Sequence, residues 1–445
     1  MKDNQKSKQS LSRRKYVTAV GAAAASVGIA GCSANETSSQ GGSTSSSEGG
    51  STLEIQHWWT AGGDGKAMSA LLSRFNEMHS EIEIQENPVS GAGGQNLHSV
   101  IQDRTLNGNP PSTWQDWPGA NLQPYVEADA LKDLGEDVWT DDLRDAYLPG
   151  VKTAARAGNP DNPLISVPLN VHRLNNLFYN IEVFEEAGVD PSNMETPSDL
   201  VDAMATIESE TDAAGMGQET SSAQGTLQLW AVTLMSEAGV ETYEKFRNGE
   251  TDGIEDDVRG ALETVAEYKN HYTDDAGSIN QDEAGFKVAN GKAACMHQGD
   301  WQAGNFGTID DFAYKEDWDH MPFPGTDGYY QLVLDGFVHP VPNPSPEATT
   351  EFLKFVGTVE AQELFNPPKG SIPPRTDVPQ DSFTEFQQKE MEQFSNSEAQ
   401  PLTMAHGLGV PPSVRSSIID VMSRFTSGYD VESAQQELVN AVSEV

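Results

Sequence analysis

Residues 53–78 read LEIQHWWTAGGDGKAMSALLSRFNEM, and how they fold decides the architecture. LEIQHW has the character of a half-buried strand, whereas Met68, Leu71, Leu72, Phe75 and Met78 recur at helical spacing. A strand that feeds a helix through a glycine-rich turn is the unit of α/β sheets. The unit recurs along the chain. EIEIQE (81–86) alternates with period two, and Leu97, Val100 and Ile101 mark the next helix. LISVPLNVHRLNNLFYN (164–180) opens a second series, continued by helical IEVFEEAGV, TPSDLVDAMATI, LQLWAVTLMSEAG and VRGALETVAEYKNHY. YYQLVLDGFVHP (329–340) again reads as strand, and Pro346 to Val445 is mostly helical.

At 445 residues the chain exceeds one ordinary domain of about 100–200 residues. The pattern predicts two α/β lobes with chain crossings near Val167–His172 and Gly299–Trp301. The expected boundaries are 52–167 with 302–338 for the N-terminal lobe, and 168–301 with 339–445 for the C-terminal lobe. Ligands of open α/β sheets bind beyond the carboxyl ends of strands, so two facing lobes enclose a cleft.

The first 51 residues have a different character. Lys2, Lys6, Lys8, Arg13, Arg14 and Lys15 precede an apolar run from Thr18 to Gly31, shorter than the ~20 residues of a membrane span. SRRKYV resembles a twin-arginine export signal over residues 1–31, and IAGC resembles a lipobox that makes Cys32 a lipid attachment point. Residues 32–51, rich in Ser and Gly, predict a flexible tether. These features place the protein outside the cell, anchored to the outer face of the cytoplasmic membrane.

Charge excludes whole classes of partner. The chain carries 27 Lys and Arg against 68 Asp and Glu. Residues 1–31 hold six of the former and one of the latter, so the remainder carries 21 against 67, net −46. Such a surface repels nucleic acid and anionic lipid, and it suits concentrated salt, where screening relieves self-repulsion. Besides Cys32 there is only Cys295, which leaves no intramolecular disulfide for the mature fold and no cysteine-rich metal site.

TAGGDG and SGAGGQ invite a phosphate-loop reading, but neither completes a nucleotide motif and Asp64 would repel a phosphate. The nine histidines form no metal-ligand spacing, and no nucleophile elbow is present. No cofactor or metal is expected. Two suitably spaced carboxylates could still make a glycosidase. What gathers at the strand ends and crossings is a set of aromatic and planar polar residues: Trp58, Trp59 and Asp64, then Gln115 and Trp117, then Asn170 and His172, then Asp300 and Trp301. Sugars offer apolar C–H faces and a rim of hydroxyls, which call for flat platforms and groups that donate and accept. Period two sends Trp58 into its lobe and Trp59 toward the cleft, beside glycines that let the turn approach a ligand.

WWTAGGDGKAMSALLSRFNEMH, VPLNVHRLNNLFYNIEVFEEAGVDP, KVANGKAACMHQGDW and FNPPKGSIPPRTDV together resemble an extracellular solute-binding protein of an ABC sugar importer, most similar to glucose/mannose-type monosaccharide binders, with a haloarchaeal-like composition. The resemblance covers Leu53 to the C-terminus. It implies a periplasmic-binding-protein type II-like fold of two lobes closing on a sugar at hinge crossings, a monomer without catalytic activity that delivers a monosaccharide to membrane permease subunits. It implies Trp59, Asp64, Gln115, Trp230, Asp300, Lys369 and His406 as sugar contacts. Trp117 stands where relatives often have histidine, and Asn170 and His172 match VPxNxHR as cleft lining. Trp230 also fits a core position, with Leu227, Leu234 and Met235 at helical spacing. Rival readings are an oligosaccharide or polyol on the same fold, or an exported glycoside hydrolase.

Overall fold

Short apolar strands separated by amphipathic helices bury a sheet between layers, and this chain does so twice. The computed structural model describes residues 52–60, 62–90 and 95–443, which lie in one unit beginning at Gly50. The expected export signal, the lipobox at Cys32 and the 32–51 tether lie outside the described residues. Among the described residues no helix is long and apolar enough to cross a membrane.

The strands are β1 (Thr52–Gln56), β2 (Glu83–Glu86), β3 (Thr113–Asp116), β4 (Ser166–Arg173), β5 (Asn176–Asn180), β6 (Ala214–Met216), β7 (Ala293–Gln298), β8 (Trp318–Pro322) and β9 (Leu332–Val338). The first sheet has the order β2-β1-β3-β9-β4, and the second β6-β7-β5-β8. β1 pairs parallel with β2 and β3, while β9 runs antiparallel to β3 and β4. In the second sheet β6 and β7 are parallel, and β5 is antiparallel to both β7 and β8. The fold is α/β with two lobes, one around each sheet.

Each lobe has its own core. Leu53, Ile55, Leu71 and Phe75 meet Phe337, Phe352 and Phe365 in the first, where helix Gly62–Met78 lies along helix Val359–Lys369. In the second, Met204, Leu229, Val258, Leu262, Ile418 and Met422 pack from four helices, Pro197–Glu210, Ala223–Arg247, Glu255–Tyr268 and Pro412–Gly428. Each such fully buried side chain contributes about 1.5–3 kcal/mol relative to exposure, so these stripes decide which helix lies on which sheet.

The crossings differ from those expected. LISVPLNVHRLNNLFYN is two strands: β4 belongs to the first sheet and β5 to the second, so the chain crosses at Leu174–Asn175, beyond Val167–His172. Gly299–Trp301 stays with the second lobe, since β8 follows it and still pairs with β5. The return crossing is the segment between Pro322 and Leu332. The 302–338 block is therefore divided between the lobes. The helices Pro346–Val356 and Val359–Lys369, expected in the C-terminal lobe, pack on the first core, and the chain crosses again between Ser395 and Pro412. Apolar periodicity fixes which face of an element is buried but not which sheet it joins, and that explains the difference.

One irregularity shapes the cleft floor. The β4/β9 register shifts between Pro168 and Asn170, opposite Gly336. A Cβ at Gly336 would lie 2.7 Å from the Val167 carbonyl oxygen, so only glycine permits this close pairing. The bulge sets Asn170 directly across from Asp335.

Candidate sugar-binding site

A cavity of about 1070 Å³ opens between the lobes. One end is built of rings. Trp58 and Trp117 meet edge-on with centroids 5.2 Å apart, Trp117 meets His406 at 5.2 Å, His406 meets Trp301 at 5.7 Å, and Trp301 meets His172 at 5.5 Å. All five line the cavity. They come from both lobes: Trp58 follows β1, Trp117 follows β3, His172 lies on β4, Trp301 opens helix Trp301–Phe306, and His406 lies on the last crossing.

Charge is concentrated beside the rings. Asp64 lies in the first turn of helix Gly62–Met78 and Lys369 ends helix Val359–Lys369, each at the helix end that favours its sign. Their side chains pair at 3.0 Å, and Lys369 Nζ lies 5.7 Å from the Trp59 ring centroid. Gly63 lets the two helix ends meet, because a Cβ there would fall 2.3 Å from the Pro368 carbonyl oxygen. The glycine turn thus makes room for protein backbone, where a close approach to ligand was expected.

The floor is a carboxylate that the sequence reading missed. Asp335 on β9 lines the cavity, is 3% exposed, and accepts from Gln115 Nε2 at 2.8 Å and Asn170 Nδ2 at 2.9 Å. Burial pushes its carboxyl upward, while Lys369, His172, Asn170 and Gln115 oppose the shift. Its signal in the sequence was a lone acid inside the apolar run LVLDGFV. The bulge and three adjacent strands bring the trio together, which no linear spacing records.

His172 Nδ1 contacts Asp300 Oδ1, and the other Asp300 oxygen accepts from the Arg173 N–H at 3.1 Å. Burial, with Lys369 nearby, holds the His172 imidazole down at about 3. Burial, with Arg415 and His172, does the same for His406, also at about 3. Both rings are therefore neutral near pH 7, and a neutral imidazole has one donor and one acceptor nitrogen. His406 Nδ1 has no hydrogen-bond partner among the described residues.

The expected residues thus separate. Trp59, Asp64, Trp117, His172, Trp301, Lys369 and His406 line the cavity. Gln115, Asn170 and Asp300 stand behind it, the first two holding Asp335 and the third holding His172. Trp230 does not reach it. Its ring is wholly buried in the second core, 5.0 Å from Phe246, and the same helix presents Gln224 and Gln228 to the cavity instead. The two neighbouring indoles also differ from expectation. Trp59 is 2% exposed, tilted against Phe365 at 4.9 Å, whereas Trp58 is half-buried. β1 ends at Gln56, so strand alternation no longer governs them; the backbone N–H groups of Trp58 and Trp59 donate to Gln115 Oε1 (3.1 Å) and His57 Nδ1 (3.2 Å).

Chemically, this end offers aromatic faces, one cation, two carboxylates and two neutral imidazoles around a small polar guest. Among the described residues no three His, Cys, Asp or Glu side chains gather as a metal site. A model of the family described as bacterial extracellular solute-binding protein matches residues 70–393. The chain belongs to this family of extracellular solute-binding proteins. The receptor is 40% identical over 470 residues to the xylose/arabinose-binding protein XacG of Haloferax volcanii, covering 100% of both chains. It is 36% identical over 436 residues to an ABC transporter extracellular-binding protein of Pyrococcus horikoshii, covering 96% of both. Among solved structures the bacterial solute receptor AcbH, described as preferring β-D-galactopyranose, superposes with a TM-score of 0.75 at 18% identity over 89% of this chain and 98% of AcbH. The family is one of extracellular receptors that bind a solute.

Proposed function

We propose that this receptor binds a monosaccharide, glucose-like in its hydroxyl pattern, between its lobes and hands it to membrane permease subunits, with no catalytic step of its own. The observation that carries the reading is the ring-lined end of the cavity, where Trp58, Trp117 and Trp301 stand beside Asp64, Asp335 and Lys369. Indole faces suit the C–H side of a pyranose, and charged groups fix its hydroxyls, each charge-assisted bond contributing about 1.5–3 kcal/mol. Contacts from both lobes favour the closed form, which the permease reads. We further propose a monomer, exported by the twin-arginine signal and held through lipidated Cys32 at the outer face of the cytoplasmic membrane in concentrated salt. Mass spectrometry of the membrane fraction tests the anchor: an unmodified Cys32 there contradicts it.

The cavity volume favours a second reading. About 1070 Å³ exceeds what a drug-sized ligand usually fills, and the space runs on past Gly304 to Phe312 and Tyr314, which leaves room for an oligosaccharide. Thermal-shift titration at high salt separates the two. Monosaccharides raise the midpoint at lower concentration on the first reading, disaccharides on the second, and a sugar-independent midpoint contradicts both.

A further inference from the structure

The residue after His172 makes an extensive set of buried polar contacts outside the cavity. Arg173 is 2% exposed at the end of β4, where the chain leaves the first sheet. Its backbone exchanges two hydrogen bonds with Asp300: its N–H donates to Asp300 Oδ2 (3.1 Å), and its carbonyl accepts from the Asp300 N–H (3.0 Å). Its guanidinium reaches three segments. Nε donates to Asn175 Oδ1 on the first crossing (3.1 Å), Nη2 to the Tyr329 carbonyl on the second (2.9 Å), and Nη1 to Gln393 Oε1 on helix Glu385–Ser395, just before the third (2.5 Å).

The surroundings keep that charge in place. Nη1 lies 3.9 Å from Glu390, a fully buried carboxylate that also accepts from Tyr330 (2.9 Å) and contacts His320 Nε2 (2.9 Å). The guanidinium carbon lies 5.2 Å from the Tyr330 ring centroid. Asn175 in turn donates to Thr326 Oγ1 and accepts from the Gln331 N–H, which ties the first two crossings to each other. A guanidinium spreads its donors over three nitrogens and so reaches acceptors on three separate segments; a lysine concentrates its three donors on one atom and cannot span them in the same geometry.

We propose that Arg173 is a positioning residue for the sugar site: its guanidinium sets the angle between the lobes by holding the crossings, and it thereby anchors the backbone whose N–H and carbonyl hold Asp300 against His172. The proposal rests on the sugar-receptor reading above. A side chain that never meets the ligand then sets its affinity, because the edge of the cavity and the hinge share one buried anchor.

The test uses the mature receptor, with D-glucose, D-xylose and L-arabinose as calorimetric probes. Arg173→Lys is expected to raise the dissociation constant of the preferred sugar at least tenfold, to shift the His172 ring resonances of the sugar-free protein, and to alter the contraction on sugar binding seen by small-angle X-ray scattering. If Arg173→Lys does not fold, Gln393→Ala, which removes one guanidinium acceptor at a half-buried position, is expected to move the same readouts by about threefold in affinity. A merely structural arginine would lower the melting temperature and leave the His172 resonances unmoved. Dissociation constants within twofold of the parent, with unchanged His172 resonances, overturn the proposal while the parent's sugar binding upholds the receptor reading. A parent that binds none of the three sugars overturns both.

Discussion

Asp335 combines two properties that rarely meet, near-complete burial and a place on a cavity wall. Its two amide partners use one lone pair on each oxygen, which leaves acceptor capacity for sugar hydroxyls. Asp335→Asn keeps the shape but turns a donor toward a donor. The expected result by calorimetry is a ten- to hundredfold loss of affinity, the equivalent of about 1.5–3 kcal/mol for one charge-assisted bond; unchanged affinity contradicts the assignment. Three buried histidines carry a pH signature. Burial holds His297, like His172 and His406, at about 3, whereas an unfolded histidine titrates near 6.5. Between those values the unfolded chain binds protons that the native state refuses, so stability falls as pH drops, by about 1.4 kcal/mol per unit for each histidine. Melting scans from pH 7 to pH 5 are expected to show this decline, and His297→Gln to flatten it; an identical slope in the variant contradicts it.

Secondary-structure elements were the most legible level, and partnerships between them the least. The strand–turn–helix of 53–78 could be read from side-chain period alone, because the apolar stripe at Met68, Leu71, Leu72 and Phe75 has one helical solution. The place of β8 could not, since Trp318–Pro322 pairs with β5 through backbone bonds that any extended segment can make. Helix Ala223–Arg247 shows the same limit on a site. Its periodicity permits either Trp230 or Gln228 to face the cleft, and the choice is made by helices packed against it from distant sequence. This yields a prediction for the whole element. Trp230→Ala opens a core cavity and is expected to lower stability by about 3–5 kcal/mol in denaturant melts, with sugar affinity within a few-fold of the parent. Abolished binding by a still-folded Trp230→Ala protein contradicts the core placement.

At the scale of the molecule, two lobes with separate cores meet at three crossings, and the candidate site draws rings from both. Seven of the residues anticipated from sequence line the cavity, because strand ends and chain crossings are where α/β lobes present side chains to a ligand. Gln115 and Asp300 were expected to contact the sugar and Asn170 to line the cleft; the bulge opposite Gly336 sets Asn170 against Asp335, and pairing with His172 turns Asp300 away, neither of which linear sequence reveals. The acidic surface belongs to this scale too. With 67 acidic against 21 basic residues after Gly31, self-repulsion opposes the compact state until salt screens it. The melting temperature is expected to rise between about 0.1 M and 1 M potassium chloride, as the screening length falls from about 10 Å to 3 Å; a flat or falling curve contradicts this. The most direct measurement is isothermal titration calorimetry of the mature receptor at high salt with D-glucose, D-xylose and L-arabinose, alongside Asp335→Asn. Saturable one-to-one binding of at least one sugar, weakened at least tenfold in the variant, is the expected result. No binding of any of them, or equal binding by the variant, would contradict a sugar site built on the ring-lined end of the cleft.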